Sequence, residues 1–322
     1  MKKKLSIPLI NFLRKKDLTF YILIFIIVIA AVLRLYNFPY RYSLGEETVR
    51  DAVIGIEGAR QLQLPLTGSF SSLGPFTFGP WYAYQLALFT FIFPHNYSPW
   101  VYLSIISVLY IVVIYKVGKI LVDKKFGLFL AFLAALSPAQ IISATHLTSH
   151  NMTNIFAILA LWIFLKLATK DLSYWWSFAL GASIGIGANL HYQMAGLFVL
   201  PISLLLYKRQ KKFVIHLVNS LVGAFVVFLP LVFFELNNHW FNVRNMIYYI
   251  LYGKNLIYVP NRWLFYVRDF WPLFWGDSLG VPKLIAQILM IAFGLVVTLL
   301  ALKRRLPRLI FMLLIAFLFY LK

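Results

Sequence analysis

Two adjacent glutamates stand in the run Leu44-Gly45-Glu46-Glu47-Thr48-Val49-Arg50-Asp51, shortly beyond an apolar stretch from Leu18 to Tyr36. Neighbouring carboxylates repel each other, and near a low dielectric one of them titrates high while the other stays charged. Such a pair can take a proton from a hydroxyl nucleophile, or coordinate a hard divalent cation that bridges to phosphate. Arg50 lies three residues past Glu47, so on a helix it shares that face and can pair with the carboxylate or with a phosphate. The plainer reading is a solvated helix N-terminus, where acidic residues complement the helix dipole.

A second constellation is Thr145-His146-Leu147-Thr148-Ser149-His150-Asn151. Histidines four apart on a helix can share a metal, but this composition favours a turn. By position, His146 and His150 can line a polar pocket at a membrane face; hydrogen bonding at the membrane surface is the competing reading. His191, Tyr192 and Gln193 sit at a comparable depth. Asn151-Met152-Thr153 fits a glycosylation sequon, a pattern too common to carry weight.

The elements that must position these residues are apolar. Of 322 residues, 61% are hydrophobic and 12% charged, against roughly 45–50% and about 25% in a soluble domain. This is an all-α membrane protein: a polytopic bundle of about eight or nine transmembrane helices forming a single domain over 1–322. Candidate spans are 18–36, 97–117, 126–143, 152–169, 174–190, 194–207, 213–234 and 283–302, with a partial one at 308–322. None contains an Asp or Glu between its ends. The segment from Arg308 to Lys322 is short for a core about 30 Å thick, so the natural chain is expected to continue past it. The N-terminus is basic and runs into an apolar core longer than that of a signal peptide, and reads as a retained first helix. The absence of cysteine excludes disulfides and thiolate chemistry.

Charge orients the bundle. The net charge of +20 does not imply a nucleic-acid partner, because the basic residues sit in short clusters between spans. If 78–94 lies in the interface or re-enters instead of crossing, 20 of the 30 basic residues fall on one side, including the clusters at 116–125, Lys208 to Lys212 and Lys303 to Arg308. That satisfies the positive-inside bias. It places the N-terminus in the cytoplasm of a multi-pass plasma (inner) membrane protein, with outward loops at 37–96 and 235–282. The first loop holds a helix-compatible stretch, 46–62, then Leu73-Gly74-Pro75 and Gly79-Pro80 before Trp81, Tyr82 and Tyr84. Aromatics with polar tips favour the headgroup level.

This order is a basic N-terminus, one span, Leu33-Arg34-Leu35-Tyr36-Asn37, an acidic pair, the helix Ala52 to Arg60, then Gly74-Pro75-Phe76 running to Gly79-Pro80-Trp81-Tyr82. It resembles the start of the GT-C glycosyltransferases, above all the protein mannosyltransferase and lipid A aminoarabinose transferase branch. The resemblance is clearest over residues 20–170. Two departures stand out: the pair is Glu-Glu rather than Asp-Glu, and the Pro motif lacks a neighbouring basic residue. The resemblance implies inverting transfer of a sugar from a polyprenyl-phosphate carrier to a glycan, lipid or protein acceptor on the extracytoplasmic face, within membrane lipid. Glu46 would match the general base and Glu47 its partner; these two are also the metal candidates if a divalent cation takes part. Arg50, Arg244, Lys254, Arg262 and Arg268 are the cations able to neutralise the departing phosphate. The alternative is a lipid-linked sugar flippase or transporter without covalent chemistry. Coupled transporters usually carry ionisable residues inside the membrane and paired broken helices in two halves, and neither pattern shows.

Overall fold

The computed structural model describes residues 18–170, 172–206, 210–253 and 261–304. Among them the fold is all-helical, with one isolated bridge between Phe70 and Thr77. In order come α1 (Leu18–Leu35), α2 (Glu46–Gln61), α3 (Trp81–Ile92), α4 (Ser98–Leu121), α5 (Lys124–Leu136) and α6 (Pro138–Ser143). They are followed by α7 (Ser149–Thr169), α8 (Trp175–Leu190), a largely 3-10 segment over 192–206, and α10 (Gln210–Asn237), the short helix Val199–Ser203 within that segment being α9. The described residues end in α11 (Phe241–Leu251), α12 (Arg262–Phe265) continued by a π turn, α13 (Trp271–Leu279) and α14 (Lys283–Arg304). The basic residues of 1–17, Lys254, Lys208, and the terminal segment from Arg308 lie outside the described residues.

Among the described residues four helices are long and apolar enough to cross a membrane unaided: α1, α4, α7 and the Lys212–Asn237 part of α10. The pair 266–279 and 283–295, bent by 98°, makes a fifth if it is one broken span. The remaining traverses are made in pieces. The expected span at 126–143 is divided by Pro138, which has no N–H to offer the Ala134 carbonyl one turn back. Arg34, at the end of α1 and fully buried, repairs the break. Its guanidinium donates to the Ala134 carbonyl (3.1 Å), the Ala135 carbonyl (3.0 Å) and Ser107 Oγ (2.8 Å). A buried charge is tolerated here because its donors meet carbonyls at a helix C-terminus.

The expected span at 194–207 is too short for an α-helical crossing. It is wound mostly as 3-10 helix, whose rise of ~2.0 Å per residue carries it further than an α-helix of equal length. Met194 and Leu197 lie three apart in the 3-10 stretch and are both buried, as its threefold period requires, and Leu200 of α9 continues the buried row. Gly181 and Gly185 let α8 meet α10 closely: a Cβ on Gly181 would overlap the Ser220 carbonyl, and one on Gly223 the Phe178 carbonyl. Small residues four apart are the usual means of close helix approach in lipid. Ser220 Oγ donates to the Ser177 carbonyl at 3.0 Å across this seam.

Helix α3 does not cross. Just before it, Gly79 N–H donates to the Asn189 carbonyl at 3.0 Å. Just after it, the Tyr97 ring lies 6.1 Å from that of Phe38 and Trp100 Nε1 donates to the Ser43 carbonyl. Both ends of α3 therefore belong to the same face of the bundle as the end of α1, in line with the interfacial or re-entrant reading of 78–94. That face also gathers the α6–α7 turn, through Ser43 N–H to the Thr145 carbonyl, and the end of α8.

Candidate active site at one end of the bundle

Helix α2 begins at the acidic pair. Thr48, almost fully buried, fixes its start: Thr48 Oγ accepts from Gly45 N–H at 2.7 Å and donates back to the Gly45 carbonyl at 2.8 Å. Glu46 and Glu47 stand exposed on the first turn. One turn on from Glu47, Asp51 is 5% exposed and pairs with Arg50 at 2.8 Å. Burial pushes the Asp51 carboxyl above the ordinary carboxylate range; the hydrogen bond and charge of Arg50 oppose this, and Glu47 adds to it.

Asp51 opens onto a cavity of about 240 Å³ between α2, residues 67–69 of the loop, α3 and the end of α8. Thr67, Ser69, Tyr82, Ser149 and Asn189 also line it. Tyr82 Oη and Asn189 Oδ1, both buried, have no hydrogen-bond partner. Buried polar atoms of this kind are rare and call for a ligand or water. The loop wall is a tight turn held by Gly68 N–H to the Phe78 carbonyl and Phe78 N–H to the Ser69 carbonyl.

Two histidines close the site. The His150 and His191 rings lie 4.3 Å apart, and His191 stacks on Phe78 at 5.5 Å. Glu47 is near enough to His150 for their charges to interact. Burial first, then the neighbouring His150, pulls the His191 pKa down to about 4, so His191 is neutral at physiological pH.

The second loop docks on the first. Thr77 N–H and Oγ both donate to Asn242 Oδ1, at 2.6 and 3.1 Å, and Asn245 donates to the Pro75 carbonyl. Glu235, buried at the end of α10, accepts from Asn242 and Val243 N–H and caps α11. Arg244 is exposed on that docked helix and has no side-chain partner among the described residues. Arg262 opens α12, and Arg268 is engaged by Asp269 at 3.0 Å.

The sequence-expected residues thus separate. Glu47, Arg50 and His150 are brought together with Asp51 and His191. His146, in the turn before α7, instead lines a separate groove of about 690 Å³ with Asn151 and Asp277. Asp51 was not singled out from the sequence. Its signal is helical phase: it lies four residues from Glu47 and continues into the small packed face Ala52, Gly55, Gly58. Among the described residues no three His, Asp or Glu side chains converge as metal ligands.

Residues 77–234 match the family model of the dolichyl-phosphate-mannose-protein mannosyltransferases. The matched stretch holds α3, both histidines of the site and most of α10, and begins after the acidic pair. No curated protein matches the chain. Among solved structures it is similar to the Archaeoglobus fulgidus oligosaccharyltransferase. The apo form aligns with a TM-score of 0.52 and 19% identity over 67% of this chain and 30% of that one. The form tethered with an acceptor peptide containing the NVT sequon gives 0.52 and 18% over 90% and 38%. At such identity the likeness is one of fold, and the chain spans 30% to 38% of the length of that enzyme.

Proposed function

We propose, on the premise that this chain belongs to the GT-C superfamily of membrane glycosyltransferases, that it transfers one sugar from a polyprenyl-phosphate carrier to an acceptor hydroxyl or amide at the extracytoplasmic face of the plasma membrane. The observation that carries the reading is that Asp51 lines the 240 Å³ cavity while Glu47 lies within charge range of both Asp51 and His150, whose ring meets that of His191. That volume equals about eight water molecules, enough to take in a sugar ring.

The acidic pair supplies the base. Of its two members Glu47 is the one whose charge reaches Asp51 and His150. The acceptor atom attacks the anomeric carbon and its proton passes to Glu47, with Glu46 beside it. The bond to the carrier phosphate breaks on the opposite side, so configuration inverts, and the lipid phosphate leaves with the electron pair. Asp51, held by Arg50 through Oδ1, keeps its other oxygen for sugar hydroxyls in the cavity. Because Arg50 is already paired, Arg244 is the cation to meet the leaving phosphate, with Arg262 on the same loop. Donors set where charge develops are the larger part of such catalysis.

The test is transfer in proteoliposomes holding labelled polyprenyl-phosphate sugars and a membrane extract as acceptor. Release of lipid phosphate that stops in Glu47→Gln establishes the reaction. A carrier that crosses the bilayer with its sugar still attached means a flippase, and Glu46 and Glu47 become headgroup contacts.

A further inference from the structure

The end of the bundle away from the acidic site has its own built cluster. Lys166, in the last turn of α7, places Nζ 3.6 Å from the Trp176 ring centroid and 4.7 Å from that of Trp162. Lys116 of α4 places Nζ 4.6 Å from the same Trp162 ring. The two indoles meet edge to face at 5.7 Å. His150 and Lys166 are on one helix, sixteen residues apart, which is about 24 Å at 1.5 Å per residue. The cluster therefore sits close to the opposite boundary of the hydrocarbon core.

Two like charges share one indole here, and neither ammonium has a carboxylate within ion-pair distance among the described residues. Asp123, the described carboxylate of that end, is occupied in capping α5 through Phe126 N–H at 2.8 Å. Lys170 adds positive charge next to Lys166. The ring contacts hold the ammonium groups in place but leave their mutual repulsion standing. An anion between them removes it. Tryptophan favours the headgroup level of a bilayer, and basic pockets between transmembrane helices suit anionic headgroups. Trp175, beside the cluster, is 75% exposed, an apolar surface for an adjoining acyl chain.

We propose that Lys116 and Lys166, clamped on Trp162 and Trp176, form a binding site for the phosphate of one anionic phospholipid on the face opposite the acidic site. The site is independent of the transfer reaction. It is tested on the full chain by native mass spectrometry from nanodiscs of phosphatidylglycerol and phosphatidylcholine, with tryptophan fluorescence titration by vesicles of each lipid. One phosphatidylglycerol is expected to stay on each wild-type chain, and phosphatidylcholine is not. Lys116→Ala/Lys166→Ala is expected to bind at least tenfold more weakly, while Lys116→Arg/Lys166→Arg retains the lipid. Equal affinity of wild type and the double alanine chain overturns the site. If inorganic phosphate displaces the lipid and reproduces the fluorescence change by itself, the ligand is free phosphate and the lipid assignment falls. Should the double alanine chain not fold, Lys166→Gln alone is expected to weaken binding at least threefold, and an unchanged affinity there is equally fatal.

Discussion

The two ends of this bundle handle positive charge in opposite ways. At the acidic end, arginines are consumed by the fold. Arg34 fills the carbonyls left open by Pro138, Arg41 donates to the Leu33 and Tyr36 carbonyls at the end of α1, and Arg50 is paired with Asp51. At the other end, lysines rest on indole faces without a carboxylate. The forked guanidinium suits backbone carbonyls and carboxylates, whereas the ammonium is a point charge on a flexible stem. The carboxylates divide likewise: among the described residues all but Asp123 lie in the loops and helix ends of the acidic side. The lesson is that the acidic end keeps uncompensated negative charge next to a polar cavity, so any phosphate arriving there must be met by the second loop.

That contrast can be broken at several points. The largest effect is expected from Glu47→Gln, which removes the base and lowers the turnover of lipid-linked sugar by about 10²–10⁴-fold, with the purified chain still monodisperse. Turnover within twofold of wild type would return Glu47 to the role of a helix-dipole residue. Next, Arg34→Ala leaves the Ala134 and Ala135 carbonyls buried without donors. At about 1–3 kcal/mol for each, unfolding in detergent should shift down by several degrees, with Arg34→Lys recovering part of the loss; an unchanged melting curve would show that water fills the gap.

Asp51→Asn is expected to weaken kcat/KM by roughly ten- to a hundredfold, the cost of an unpaired group in a sugar site, and to act mainly through KM. A pure kcat effect would make Asp51 the base instead. The smallest effect concerns His191. Its pKa of about 4 in the fold lies below the ordinary 6.5, so between those values the unfolded chain binds more protons than the folded one. Stability therefore falls as pH drops through that window. His191→Gln should flatten the dependence of melting temperature on pH between about 6.5 and 4; an identical slope in both proteins would mean that His191 is not neutral in the fold.

Much of this was legible in the residues. The helix expected at 46–62 is found at Glu46–Gln61, and the Gly-Pro breaks do precede a short helix at Trp81. What escaped reading follows from physics that local apolarity does not record. Counting apolar residues over 126–143 ignores one missing N–H, and the residue that compensates for it, Arg34, is remote in sequence. The spacing Met194, Leu197, Leu200 was visible as a period of three, yet a 3-10 crossing forms only because α7 and α8 bury that row. Of the histidines, His150 reached the acidic site and His146 did not, because the turn at 144–148 sends them to different sides of α7. Adjacent charges draw the eye to Glu46 and Glu47, whereas the buried member of the group, Asp51, shows itself only when α2 is wound and its packed face identified.

The 3-10 segment over 192–206 makes the bundle sensitive to its own arithmetic. It starts one residue after His191 and runs to Leu206, a few residues before α10, so it works as a ruler laid from the far boundary toward the site. Fifteen residues wound as α-helix would reach about 22 Å; wound mostly at ~2.0 Å per residue they reach about 27 Å. Deleting one residue from this stretch would draw the imidazole toward the far boundary by about 2 Å, far enough to part it from His150. The depth of the site is thus counted out in residues as well as held by its own contacts, Gly79 to Asn189 and Phe78 to His191.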